Sequence, residues 1–250
     1  MEKLCDRPYV LTIAGFDPTG GAGLVADCKT FEQLGVMGLS VCTAVTVQTE
    51  EQVFNVDWLS PQSIINQLNP LLSRYPVEYV KVGIIQNWEV LSEIVEVAKK
   101  IRPNLKFIVD PVLGPSMGTP FHNVVGLESS LMHLALLTPN VPEMQEMTVN
   151  ENAIEAAVLW SAKCPVLLKG GHSSTTPGTD LLIVNGQITE LNPLGPMGSP
   201  KHGTGCCLSA AITAQLANGQ SLENACLEAK KYVYRLIHSN QTLLAYHANS

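Results

Sequence analysis

The run His202-Gly203-Thr204-Gly205-Cys206 holds residue types that can bind an anion and take up a proton beside it. Leu208, Ala211, Ile212 and Gln215 follow at helical spacing, so the two glycines fall at or just before a helix N-terminus. A helix start offers unpaired N–H groups and the positive end of its dipole, and glycine lets a ligand reach the backbone. The same field is expected to lower the pKa of the Cys206 thiol and favour its thiolate. A plain turn, with Cys206 as a small buried apolar residue, fits the same letters.

Other polar residues stand at the ends of apolar runs. Asp17 follows the first run, Gln48 ends the second, and Asp110 precedes Pro111 after the fourth. Ordinary turn chemistry competes with a functional role for Asp110. Asn140 and Glu143 have the spacing of a helix N-cap and its N3 partner, which gives them a structural use of their own. Gly21-x-Gly23-x-x-Ala26, with Glu50 and Glu51 downstream, has the wording of a dinucleotide fingerprint. The match is weak, because residues 15–19 separate the first run from the glycines, whereas the fingerprint needs its first glycine directly after the strand. No Gly-Lys-Ser/Thr closes either glycine stretch, which excludes a Walker A loop. His172 and His202 read as loop residues without metal spacing.

These residues need elements to carry them. Residues 9–14, 39–47, 79–82, 107–109, 135–137 and 166–169 read as strands, and the segments 24–34, 61–74, 153–161, 207–216 and 221–239 as helices, with Leu91, Ile94, Val95 and Ala98 marking one apolar face of a further helix that stops before Pro103. Ser60-Pro61 starts the second helix with a capping hydroxyl and a proline. Strands alternating with helices predict an α/β fold: a central, mostly parallel sheet with helices on both faces. Ligands of such sheets bind beyond the carboxyl ends of the strands. Asn185-Gly186 between residues 181–184 and 187–191 signals an antiparallel hairpin at one edge.

The chain has 250 residues and no evident linker, so residues 1–250 read as one domain. A net charge of -7 without a Lys/Arg cluster argues against nucleic acid as a partner. No apolar run approaches the roughly 18 residues that span a bilayer, and no signal-peptide core is present, so a cytoplasmic protein without a membrane partner is expected. Seven cysteines without any Cys-x-x-Cys fit reduced thiols better than disulfides or zinc.

Ordered blocks over nearly the whole chain carry a resemblance. They are residues 12–23, 26–31, 43–49, Lys81-Val82-Gly83-Ile84, Asp110-Pro111-Val112, residues 138–143, 168–172 and 202–206. Together they resemble the hydroxymethylpyrimidine/phosphomethylpyrimidine kinases of thiamine biosynthesis, members of the ribokinase-like superfamily. The resemblance implies ATP-dependent phosphorylation of 4-amino-5-hydroxymethyl-2-methylpyrimidine and then of its monophosphate. It implies that Gly203, Thr204 and Gly205 form an anion hole, and that Cys206 stands where sugar kinases of the superfamily carry an aspartate base. Asn140 and Glu143 would organise Mg2+ and the ATP phosphates through water, with Asp110 on the same side and Lys169 approaching the phosphates. The pyrimidine would lie near Gly15, Ala22, Asp27, Gln48, Ile84 and Val112. A homodimer is implied, and assistance by a potassium-like monovalent cation is left open.

One loop departs from the family. Many relatives carry a lysine after the Asp-Pro-Val block, where this chain has Gly114-Pro115-Ser116-Met117-Gly118, so the second phosphorylation would lack that lysine. Similar kinases act on pyridoxal and related B6 vitamers, which makes a vitamin B6 kinase the alternative. A non-catalytic sensor with the same pocket predicts binding without turnover, and a nicotinamide dehydrogenase predicts NAD binding indifferent to Cys206.

Overall fold

Tyr9–Phe16 (β1) is buried along all but its last residue, which requires neighbouring strands on both sides and cover on both faces. The computed structural model, which describes residues 6–114, 127–171 and 178–247, supplies both. β1 pairs in parallel with Met37–Gln48 (β2) and, on its other side, with Tyr79–Val82 (β4). Val53–Trp58 (β3) lies antiparallel outside β2. Beyond β4 follow Lys106–Val109 (β5), Leu134–Leu137 (β6), Val166–Leu168 (β7), Asp180–Val184 (β8) and Gln187–Leu191 (β9), giving a nine-stranded sheet in the order β3-β2-β1-β4-β5-β6-β7-β8-β9. Strand order reverses at β1 and β4, and a crevice opens beyond the carboxyl ends of strands at such a point.

Among the described residues seven α-helices cover the sheet: Gly23–Gln33 (α1), Pro61–Arg74 (α2), Trp88–Ile101 (α3), Val141–Thr148 (α4), Ala153–Ser161 (α5), Thr204–Ala217 (α6) and Leu222–Ile237 (α7). Side chains alternate across each strand. Leu11, Ile13, Val80 and Val82 therefore pack under α2 and α3, while Ile108, Leu136 and Leu167 on the other face meet α1, α6 and α7. Thr12 and Lys81 are register partners on that second face. Their polarity is out of place in an apolar layer.

The expected parallel sheet, its two helical layers and the edge hairpin are all present. Asn185 and Gly186 both have positive φ, +50° and +79°, as a tight two-residue hairpin turn requires. The sequence leaves residues 50–59 without an element, whereas β3 fills most of them. Asn55 and Asp57 interrupt its apolar pattern because one side of this edge strand is unpaired, so its side chains stay largely exposed. Residues 115–118 and His172 lie outside the described residues. Among the described residues, no helix is long and apolar enough to cross a membrane.

Candidate active site

Five of the seven α-helices begin with a side chain that accepts a backbone N–H: Ser60, Asn87, Asn140, Asn152 and Ser221. The other two, α1 and α6, have no side-chain cap and start against each other. Gly203, the residue before α6, has φ +77°, and a Cβ there would collide with the Gly21 carbonyl oxygen. Only glycine permits this approach. The start of α6 therefore presents its N–H groups toward the strand ends, where a negative group is the natural ligand.

That start faces a charged cluster. Lys169 Nζ lies 2.8 Å from Asp110 Oδ1 and 3.7 Å from Glu143 Oε2. A Cβ on Gly205 would sit 3.4 Å from both Asp110 Oδ2 and Lys169 Nζ, so the glycine leaves this cluster open toward the helix. Burial opposes charge on Lys169, but Asp110 and Glu143 more than offset it and hold its ammonium above the ordinary lysine range. Burial pushes the Glu143 carboxyl up, Lys169 opposes this and Asp110 adds to it. The capping box is formed: Glu143 N–H donates to Asn140 Oδ1 at 2.8 Å, and Asn140 N–H to Glu143 Oε2 at 2.7 Å. A parallel bridge between Asn140 and Lys169 ties this helix start to the lysine. Asp110 Oδ2 is buried without a hydrogen-bond partner. An orphaned carboxylate oxygen beside a second carboxylate fits a magnesium ion that keeps part of its water shell. No group of three metal-ligating side chains occurs among the described residues.

Cys206 lies in the first turn of α6, half-buried, with its sulfur accepting the Gly23 N–H. The expected lowering of its pKa is not found. Burial pushes the thiol up, Lys81 opposes, and the carboxylates of Asp110 and Asp27 add to the rise. Desolvation of the charged form outweighs the helix field here. Cys207 is core, as expected, its thiol pushed up to about 12 by burial.

Asp27, expected near the pyrimidine, lies in a sealed ion pair. Its side chain is 0% exposed, salt-bridged to Lys81 at 2.8 Å and receiving the Thr12 hydroxyl at 2.6 Å. It sits inward of the site because α1 turns that face onto the sheet. Of the other pyrimidine candidates, Gly15 and Ile84 adjoin, since a Cβ on Gly15 would overlap the Ile84 side chain. Val112 N–H donates to the Asp110 carbonyl at 2.8 Å and thus borders the charged cluster. Ala22 and Gln48 converge on Asp17: Ala22 N–H donates to Asp17 Oδ2 at 2.9 Å, and the Gln48 amide lies 3.4 Å from His202 Nε2.

His202 is more than a loop residue. Its Nε2 is 2.8 Å from Asp17 Oδ2, joining the glycine loop to the residue before Gly203. Burial alone would raise the Asp17 pKa, but hydrogen bonds from His202, Thr19 and Gln48 outweigh it and hold the carboxyl at about 2. The signal for His202 was its place in the motif itself. Lys81 was signalled by being a lysine inside an otherwise apolar strand. Lys201 Nζ, also buried, donates to the Asn240 carbonyl and the Thr242 carbonyl, each at 2.6 Å, and His202 N–H to the Leu243 carbonyl at 2.9 Å. The segment after α7 thus clamps the approach to α6.

The glycine loop makes no dinucleotide turn. A Cβ on Gly21 would meet His202 and Leu244, and one on Gly23 the Gly15 carbonyl, so these glycines serve close packing against α6 and β1. A separate open groove of about 570 Å³ lies along the outer side of α1, lined by Val25, Cys28, Lys29 and His247 among others. It does not include Cys206 or the charged cluster.

Residues 17–249 match the profile of the family described as phosphomethylpyrimidine kinase. The chain is 37% identical over 240 residues to the hydroxymethylpyrimidine/phosphomethylpyrimidine kinase of Rhizobium meliloti, covering 91% of this chain and 89% of that one. Its fold is similar to the pyridoxal kinase from Staphylococcus aureus in complex with AMP-PCP and pyridoxal, with a TM-score of 0.82, 29% identity and coverage of 93% and 88%. It is also similar to the phosphomethylpyrimidine kinase from Clostridium difficile 630, with a TM-score of 0.76, 32% identity and coverage of 91% and 98%.

Proposed function

The chain belongs to the phosphomethylpyrimidine kinase family, and we infer from this premise that it transfers the γ-phosphoryl group of ATP to hydroxymethylpyrimidine and then to its monophosphate, in thiamine biosynthesis. The observation that carries the site assignment is the uncapped start of α6 facing Lys169 and Asp110 across Gly205, with Cys206 in the same turn. Phosphoryl transfer is mostly positioning and charge neutralisation, and this arrangement offers both.

In this reading the N–H groups of Thr204, Gly205 and Cys206 receive the charge that spreads over the transferred group. Lys169 exchanges part of its hold on Asp110 for a phosphate oxygen. Glu143, Asp110 and Asn140 would hold Mg2+ through water, and the ion supplies neutralisation of phosphate charge. Gly15 and Ile84 give the ring an apolar seat, Ala22 and Val112 border it, and Gln48 supplies a donor and an acceptor for its edge. Cys206 takes the hydroxyl proton. Burial raises its thiol, so it first releases its own proton to water, and the Gly23 N–H and the charge on Lys81 favour that step. Such a base contributes about 10²–10⁴-fold.

The test is ATP consumption with product identification for wild type and Cys206→Ala, offered hydroxymethylpyrimidine, its monophosphate and pyridoxal, with and without K+. Pyrimidine diphosphate from the wild type, with turnover lost but substrate still bound in the variant, supports the reading. Phosphorylation of pyridoxal alone moves the assignment to vitamin B6, whose vitamer pyridoxal is bound in one solved neighbour. The exposed apolar side chains Val45, Val47 and Phe54 on β2 and β3 favour a homodimer, which sedimentation checks. The free thiols fit action in the cytoplasm.

A further inference from the structure

The chemistry assigned above uses neither Asp27 nor, except as a distant charge, Lys81. Yet both side chains are 0% exposed and lie 2.8 Å apart. A sealed ion pair adds little stability over apolar residues of the same volume, so its presence in an apolar layer asks for another use.

The geometry around the pair points at Cys206. Thr12 and Lys81 project from neighbouring strands to the face that α1 and α6 cover, and both bond the same oxygen, Asp27 Oδ2. Asp27 Oδ1 is buried with no partner. A Cβ on Gly83 would stand 2.8 Å from Lys81 Nζ, so the ammonium lies against the backbone at the carboxyl end of β4, where the crevice begins. Helix α6 packs on β4 and on α1. The Cys206 sulfur accepts the N–H of Gly23, and Asp27 is one turn further along α1 on the same side. Ammonium, carboxylate and thiol therefore share the space between β4, α1 and α6.

We propose that Lys81 is a positioning residue for the kinase: fixed by Asp27 and Thr12, its ammonium is the permanent counter-charge of the Cys206 thiolate. The proposal rests on the reading of Cys206 as the proton acceptor. The charged groups acting on this thiol are Lys81 from β4, Asp27 from α1, Asp110 after β5 and Lys169 after β7, with Cys207 next in the chain. Lys81 is the strongest of them in favour of the thiolate, and Asp27 opposes it less strongly. Lys169 cannot substitute, because bound phosphate neutralises its charge when the base is needed. Lys81 is sealed from phosphate and keeps its charge throughout.

The test is the rate of iodoacetamide alkylation of Cys206, read by peptide mass across pH on the whole chain. Lys81→Met slows alkylation at pH 8 at least tenfold, equivalent to about one pH unit, and Asp27→Asn speeds it. Simple loosening of the packing would speed both, so opposite signs identify charge as the cause. Lys81→Met/Asp27→Asn removes both buried charges and keeps the fold, and its alkylation profile still lies at higher pH than the wild type's. Equal signs, or an unmoved profile in folded variants, overturn the proposal. In turnover assays the double variant loses kcat with little change in KM and recovers as pH rises. If alkylation shifts as stated while the pH–rate profile stays put, the reading of Cys206 as base fails and the counter-charge stands.

Discussion

Two lysine–aspartate pairs lie beneath the start of α6, and they differ in one respect. Lys81–Asp27 and Lys169–Asp110 have the same 2.8 Å separation, and in each the second aspartate oxygen is buried without a partner. The first pair is 0% exposed on both sides, whereas the Lys169 side chain is 14% exposed and has Glu143 within 3.7 Å. A lysine with a path to solvent can trade its carboxylate for an incoming anion. A sealed one can only project its charge. The same chemical unit thus serves a grip in one place and a fixed field in the other.

The sharpest way to break this contrast is to remove each lysine. Lys81→Met leaves Asp27 charged or protonated in an enclosed site, at a cost of about 3–5 kcal/mol, and thermal melting should fall by about 10 °C or more. Lys169→Met should lower kcat/KM for ATP by about 10²–10³-fold, the loss usual for one donor to a transition-state anion. Its melting temperature should fall less than that of Lys81→Met, because water can reach the abandoned Asp110 oxygen. The reverse order in a melting experiment would end the distinction between the pairs.

Asp17 sharpens it from the side of a carboxylate paired without lysine. Its pKa of about 2 lies below the ordinary 3.8, so the folded state binds this proton less readily than the unfolded chain. The resulting stability, about 2 kcal/mol, is complete above the unfolded pKa and is lost as pH falls through about 2. Asp17→Asn should remove that part of the acid slope in pH-dependent denaturation. The smallest effect belongs to Gly205→Ala. Its Cβ fits at 3.4 Å from Lys169 Nζ without a severe clash, so melting should barely change, while crowding of the anion position reduces kcat/KM by about tenfold.

Periodicity made the parallel sheet and both helix layers readable, because buried strands such as β1 and amphipathic helices such as α3 carry strong local patterns, while the order of the strands came only with the fold. The capping spacing of Asn140 and Glu143 was equally plain. β3 was not, since an edge strand with Asn55 and Asp57 owes its form to pairing with β2 rather than to its own pattern. At the site, glycine spacing located the start of α6, but the state of Cys206 depends on Lys81, Asp110 and Asp27, which arrive from three other elements. The ion pair of Asp27 was hidden for the same reason. Its sequence neighbours say it is on a helix, while only the assembled layers say that it faces inward.

The clamp on Lys201 has a consequence for how the enzyme is made. Its acceptors at Asn240 and Thr242 lie 39 and 41 residues further along the chain, beyond two complete helices. During synthesis every strand of the sheet has left the ribosome before the residues that hold the approach to α6 exist. A nascent chain can therefore hold every strand of its sheet and still lack the contacts that steady the catalytic turn, which form only once Asn240 and Thr242 have been added.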